Sequence, residues 1–162
     1  MYAKMSQPPT LPLSPAHVTQ QFARRRPLDE AQFLYGEVAQ RMLQRLSYIR
    51  ITPSDVLDAG CGAGHALEPL RSRYPDLHYT GLDSCSALLQ VATERYAAKP
   101  SLWQKLRNKP TRAAQFMQAD LADTGLAPES LDMVWSNMAL HWHPEPHRVL
   151  GAWRRTLKTG GL

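Results

Sequence analysis

The segment over residues 55–64 constrains the fold of this 162-residue chain more than any other. A short apolar run leads there directly into three glycines at every second position, Gly60, Gly62 and Gly64. An apolar run of this length, bounded by glycine, is typical of a strand that is buried within a sheet. A helix is expected to follow over residues 63–74. The segment therefore predicts a buried strand, a tight turn and a helix in succession.

The rest of the chain continues this alternation of strands and helices. Apolar residues that recur every three to five positions predict a helix over residues 29–48, before the first strand. The patterns further along predict strands over 77–82, 114–119 and 131–136, and helices over 84–98 and 144–157, the last capped by Gly160 and Gly161. This order is that of an α/β fold with a parallel sheet and right-handed crossovers.

The length of the chain fits a single domain. A segment rich in proline, serine and glutamine predicts a disordered leader over residues 1–19, followed by one domain over residues 20–162. No apolar run is long enough for a membrane span. Two cysteines are too few for a disulfide framework, so a cytoplasmic location is expected. Because Leu162 falls where a fifth strand should begin, we expect a truncation there.

The net charge of +5 raises the question of an acidic partner. The basic residues are scattered except for two clusters, residues 24–26 and a stretch over residues 99–112 that is expected to be a surface insert. A nucleic-acid surface would interleave aromatic side chains with the charges, and only Trp103 does so. The clusters therefore favour solvated faces or attraction to an acidic protein, and neither nucleic acid nor a membrane is an expected partner.

Acidic residues stand at the carboxyl ends of the predicted strands. Asp58 precedes the glycine turn, where backbone N–H groups are expected to face a ligand and where an acid suits a cationic one. The glycine spacing differs from that of dinucleotide-binding turns, which disfavours a pyrophosphate ligand. The alternative to a ligand-binding turn is a plain glycine-rich turn. Asp83 can bind both hydroxyls of a ribose or cap the next helix. Asp120 can accept an adenine amine, with the Leu121 N–H beside it, or form an Asx turn.

Five motifs in chain order carry a family resemblance. They are VLDAGCGAG (56–64), GLD (81–83), QADL (118–121), LDMVWSNMALHW (131–142) and LKTGG (157–161). Over residues 20–162 the chain resembles the class I S-adenosylmethionine-dependent methyltransferases. Within them, residues 136–142 and 157–161 look most like the malonyl-acyl-carrier-protein O-methyltransferases of biotin precursor synthesis. The resemblance implies a Rossmann-like three-layer sandwich with a mostly parallel sheet, and S-adenosylmethionine as methyl donor with S-adenosylhomocysteine (SAH) as product.

The resemblance also implies which residues contact the donor and the acceptor. The implied donor-binding residues are Asp58, Gly60, Cys61, Gly62, Gly64, Asp83, Ser84, Asp120, Leu121 and Asn137. Tyr35, His141 and Trp142 are candidates for the acceptor site, and a packed loop is the alternative for Asn137, His141 and Trp142. His141, His143 and His147 lie near one another in sequence, but no cysteine or carboxylate cluster joins them, so no metal site is expected.

The chain departs from the family pattern at three places. Thr159 replaces the usual proline, and the insert over residues 99–112 is longer than usual. Residues 24–27 replace a segment that usually offers a tyrosine near the methyl donor, which leaves Tyr35 as the substitute. A carboxylate acceptor is ionised at neutral pH, so the absence of an evident general base fits carboxyl O-methylation. The alternatives are an assembly factor of the complex I type, which shares the LHW signature, and a methyltransferase of another small carboxylic acid.

Overall fold

The computed structural model describes residues 10–24, 29–96 and 113–162. These residues form five helices and four strands. In chain order they are α1 (Pro15–Arg24), α2 (Asp29–Arg45), a 3-10 turn (Leu46–Tyr48), β1 (Asp55–Ala59), α3 (Leu67–Arg73), β2 (His78–Asp83), α4 (Ser86–Tyr96), β3 (Gln115–Gln118), β4 (Met133–Trp135), a second 3-10 turn (Leu140–Trp142) and α5 (Pro146–Thr156).

The four strands form one parallel sheet in the order β3-β2-β1-β4. The central strand β1 pairs on both sides, so that Asp58 lies opposite Gly81 of β2 and Trp135 of β4. Because parallel strands run in one direction, their carboxyl ends lie along one edge of the sheet. The sequence prediction of an α/β fold with a parallel sheet is confirmed.

Two apolar cores cover the two faces of the sheet. Successive side chains of a strand point to opposite faces, and accordingly Val56 and Leu57 of β1 belong to different cores. The Val56 face packs against α3, which contributes Leu67. The Leu57 face packs against α5, which contributes Val149 and Trp153. The result is a three-layer sandwich whose central strand is shielded from water on both faces.

Several helices differ from their predicted bounds. The helix α2 ends at Arg45, and a 3-10 turn replaces the predicted residues 46–48. The helix after the glycine turn begins at Leu67, not at residue 63, because Gly64, which lies within the predicted helix, has a φ of +76°, which a right-handed helix excludes. The last helix ends at Thr156, since Leu157 is already extended and lies opposite Leu131 in a parallel bridge. The predicted cap at Gly160 and Gly161 is therefore wrong.

The first helix was not expected from the sequence. Residues 15–19, which we predicted as the end of a leader, are helical. The helix is held because the Phe22 ring packs edge-on against Trp142, with centroids 5.5 Å apart. The backbone before it is tied down where the Leu11 N–H donates to the Pro144 carbonyl at 2.8 Å. Residues 1–9 and the predicted insert over 99–112 lie outside the described residues.

The outer side of β4 carries one further pairing. Leu162 donates its N–H to the Asp132 carbonyl at 3.0 Å and accepts the Val134 N–H at 2.8 Å, which is the pattern of a parallel ladder. Throughout the described ranges, no helix combines the length and the apolar character that crossing a membrane requires.

The turn after β1 yields a test of backbone strain. Gly60 has a φ of +79°, and a Cβ placed there would overlap the Cβ of Ala139. We expect Gly60→Ala to lower the free energy of unfolding by more than about 2 kcal/mol, measured by urea denaturation.

The matched control is Gly151→Ala on α5. A Cβ at Gly151 meets no atom within 4 Å, so higher helix propensity should leave stability unchanged or raise it by up to about 1 kcal/mol. A Gly60→Ala protein as stable as the parent would contradict the role assigned to this turn.

Candidate functional site

A cavity of about 600 Å³ opens at the carboxyl edge of the sheet, between the strand ends and the helices α1 and α2. Its size is that of a site for a small organic ligand. Most residues that the sequence singled out line this cavity. They are Tyr35, Asp58, Gly60, Cys61, Gly62, Asp83, Ser84, Asp120, Leu121, Asn137 and Trp142.

The backbone of the glycine turn bonds to the protein itself. The N–H groups of Gly60 and Cys61 both donate to the Leu82 carbonyl, at 2.7 and 3.0 Å. Gly62 donates to Asp83 Oδ2 at 2.9 Å, and Gly64 donates to the Cys61 carbonyl at 2.9 Å. The expectation that these N–H groups face a ligand is therefore wrong. The turn fastens β1 to β2 and brings the acids at the two strand ends to the same cavity.

Gly64 lies outside the cavity wall. A Cβ at this position would lie 3.0 Å from Cε2 of Tyr96 and 3.2 Å from Cε1 of Phe116, two rings that stack on one another. The missing side chain at Gly64 thus allows close packing of α4 and β3 beneath the turn. This packing accounts for the third glycine without any contact to a ligand.

Asp58 is the most deeply buried acid of the cavity. Its side chain is almost wholly buried and accepts a hydrogen bond from the Tyr79 hydroxyl, whose oxygen lies 2.5 Å away. The pKa of Asp58 is raised to about 7, chiefly because the carboxyl group is buried. The hydrogen bond from Tyr79 lowers this pKa, and the nearby charge of Asp83 raises it. A neutral or half-ionised carboxyl group at neutral pH is a group that a cationic ligand can convert to a carboxylate.

Asp83 is held by the backbone on both oxygens. Oδ2 accepts the Gly62 N–H at 2.9 Å and Oδ1 accepts the Cys85 N–H at 2.8 Å. Burial raises the pKa of Asp83, while these backbone bonds lower it. Cys85 precedes α4, so this bond closes a turn ahead of the helix and is not the predicted helix cap. The same carboxyl group also lines the cavity, because each oxygen has a second lone pair.

Asp120 and Asn137 line the cavity just beyond the ends of the two outer strands, β3 and β4. Oδ1 of Asp120 accepts the Ala122 N–H at 2.7 Å, which is the Asx turn that the sequence left open. Asn137 donates from Nδ2 to the Tyr35 carbonyl at 2.8 Å and so ties α2 to the end of β4. Its Oδ1 is buried and, within the described part of the chain, has no hydrogen-bond partner. That oxygen is an acceptor for which a ligand could supply the donor.

The three acceptor-site candidates separate in the structure. Tyr35 and Trp142 line the cavity, and the Trp142 ring packs against the Phe22 ring, which also lines it. His141 is exposed and lines a second, more open pocket together with Leu11. The structure therefore brings Tyr35 and Trp142 to the site and leaves His141 outside it.

Several wall residues were not singled out from the sequence. Val18 lies on the half of α1 that falls within the predicted leader, and the sequence offers His143 only as a metal ligand that it does not favour. The i and i+4 spacing of Val18 and Phe22 was the available signal for an apolar helix face.

In the described ranges, no group of three or more histidine, cysteine or acidic side chains could hold a metal ion.

Comparison with known proteins gives a consistent result. A family model described as a methyltransferase domain matches residues 57–162. The malonyl-[acyl-carrier protein] O-methyltransferase of Laribacter hongkongensis is 40% identical over 134 residues, which are 83% of this chain and 44% of that protein. The chain spans less than half the length of the first curated relatives that it matches.

Solved structures share the fold. The methyltransferase in a complex with the Haloferax volcanii Trm112 methyltransferase activator aligns with a TM-score of 0.68 at 25% identity, over 89% of this chain and 57% of that one. The plantazolicin methyltransferase BpumL, solved with a desmethylPZN analog and SAH, aligns with a TM-score of 0.57 at 18% identity, over 88% of this chain and 49% of that one. The fold is the Rossmann-like sandwich of S-adenosylmethionine-dependent methyltransferases.

The raised pKa of Asp58 predicts how stability depends on pH. The carboxyl group keeps its proton in the folded chain up to about pH 7, whereas its ordinary pKa is 3.8. Its contribution to stability is therefore complete below that ordinary value and is lost as the pH rises towards 7. We expect the unfolding free energy of the parent, relative to Asp58→Asn, to fall by about 1.4 kcal/mol per pH unit across this window.

Urea denaturation of both proteins across the window is the measurement. Asp76→Asn, which removes a carboxyl group on an exposed turn between α3 and β2, is the matched control for a loss of charge outside the cavity. A pH-independent difference between the parent and Asp58→Asn would show that Asp58 is ionised throughout.

Proposed function

Because the chain belongs to the methyltransferase domain family, we propose that its strand-edge cavity binds S-adenosylmethionine for methyl transfer. We further propose that the acceptor is the free carboxyl group of a malonyl thioester on acyl carrier protein, a step of biotin precursor synthesis. The observation that carries the proposal is the convergence of Asp58, Asp83, Asp120 and Asn137, from the ends of all four strands, on one cavity.

The groups that line the cavity fit this donor. S-adenosylmethionine is cationic at its sulfonium and ammonium groups, and it carries hydrogen-bond donors on its ribose and adenine. The cavity offers the buried Asp58 and the half-buried Asp83, two acids whose pKa values are raised and which gain most from a cationic or donating ligand. It also offers the unpaired Oδ1 of Asn137, in need of a donor. The negative character of the wall disfavours the pyrophosphate of a dinucleotide.

Each residue takes a part of the donor under this proposal. Asp83 accepts hydrogen bonds from the ribose hydroxyls, and Asp120 with the Leu121 backbone takes the adenine edge. Asp58 and Asn137 take the amino-acid end. The remaining wall residues of this set, Gly60, Cys61, Gly62 and Ser84, shape the turn around it. Gly64 contributes through packing only.

S-adenosylmethionine, when bound, supplies an electrophilic methyl group, so the protein need only align the acceptor and exclude water. The aromatic pair Phe22 and Trp142 and the α2 residue Tyr35 are suited to this, since they close the cavity on the side of α1 and α2. A malonyl carboxylate is ionised at neutral pH and needs no general base.

The acceptor is supported by the curated relative's name and by the charge of the chain. The relative from Laribacter hongkongensis is a malonyl-[acyl-carrier protein] O-methyltransferase. Acyl carrier proteins are acidic, and a net charge of +5 favours their association. We propose a cytoplasmic site of action, where such carriers work.

Transfer of label from the donor to malonyl-carrier protein, compared with free malonate and with RNA, tests the acceptor; label on RNA alone would contradict it.

Asp83 provides a quantitative test of the donor site. We expect Asp83→Asn to weaken binding of S-adenosylhomocysteine by about tenfold or more, because the ribose loses a charged acceptor, and calorimetric titration measures this. Asp76→Asn should bind like the parent. Equal affinity in Asp83→Asn and the parent would contradict the proposed ribose contact.

A further inference from the structure

His143 is a buried histidine in the wall of the cavity. It follows the 3-10 turn Leu140–Trp142, and only 8% of its surface is exposed. A buried polar side chain needs partners for both ring nitrogens. The structure provides both of them, and they determine which nitrogen carries the proton.

Two hydrogen bonds fix the tautomer of this ring. The backbone N–H of Glu145 donates to Nδ1 at 2.9 Å, so Nδ1 is the acceptor nitrogen. In the neutral ring the proton therefore resides on Nε2. Nε2 lies 3.1 Å from Oδ1 of Asp120 and donates to it. The Glu145 backbone thus fixes the orientation of the ring, and the ring in turn fixes the carboxyl group of Asp120.

The donors on Asp120 all converge on one of its oxygens. Oδ1 accepts both the Ala122 N–H at 2.7 Å and the His143 Nε2–H. Within the described ranges, no hydrogen bond reaches Oδ2. The carboxyl group is therefore held on one oxygen, and the other remains an acceptor at the cavity, where Asp120 forms part of the wall.

We propose that His143 is a positioning residue that holds Asp120 as an acceptor for the exocyclic amino group of adenine, and so sets the preference of the site for adenine. The inference rests on the proposed donor site. A carboxylate that is fixed in this way accepts from an amino group but repels a carbonyl oxygen at the same ring position. A ligand with hypoxanthine in place of adenine presents that carbonyl and is rejected.

The experiment measures this discrimination by calorimetric titration of the full chain with S-adenosylhomocysteine and S-inosylhomocysteine. We expect the parent to prefer the adenosyl ligand by about tenfold or more. In His143→Leu the preference should shrink several-fold, mainly through weaker binding of the adenosyl ligand. In His143→Gln, whose amide N–H replaces the Nε2–H, most of the preference should return. His147→Leu, an exposed site on α5, is the matched control.

The outcomes separate the inference from the proposed function. An unchanged preference in His143→Leu, an equal loss for both ligands, or a glutamine variant that behaves like leucine each overturns the inference alone. A parent that binds neither ligand overturns the donor site as well. Should His143→Leu fail to fold, imidazole ¹⁵N shifts of the parent decide: we expect protonated Nε2 that responds to the adenosyl ligand, and a proton on Nδ1 would overturn the inference.

Discussion

The pairing of β1 with a parallel neighbour on each side is the interaction on which the rest of the structure depends. It buries Val56 and Leu57 in opposite cores, and both neighbouring strands end within a residue of the end of β1. The chain must then leave the sheet at once, in a turn whose N–H groups bond back to the Leu82 carbonyl. The same bonds that close this turn set Asp58 and Asp83 into one cavity, so the sheet and the site are built by one constraint.

This arrangement places two acids where water cannot solvate them well. Burial raises the pKa of both Asp58 and Asp83, so the cavity without a ligand carries an electrostatic cost. The Tyr79 hydroxyl and the backbone N–H groups of Gly62 and Cys85 offset part of this cost through hydrogen bonds. A cation or a set of donors in the cavity removes the remainder. An electrostatic cost of this kind is typical of a binding site, because a turn with a purely structural role has no need of buried acids.

Local patterns predicted the strands well because each is a short segment between turn residues, and the acids at their ends follow from parallel topology. They failed where tertiary contacts decide. The helix after the turn begins late because the positive φ angle of Gly64 excludes it there, and α5 ends early because Leu157 joins a bridge to Leu131. The role of Gly64 depends on Tyr96 and Phe116, and that of His143 on Asp120, which lie too far apart in sequence for any local pattern to join them.

The central claim is that the cavity takes an adenosyl amino acid and not a dinucleotide. Calorimetric titration of the chain with S-adenosylhomocysteine, repeated in the presence of excess NAD, tests it most directly. The account predicts saturable binding of one ligand per chain, with an affinity that NAD does not change. Absence of binding, or displacement of the ligand by NAD, would contradict it.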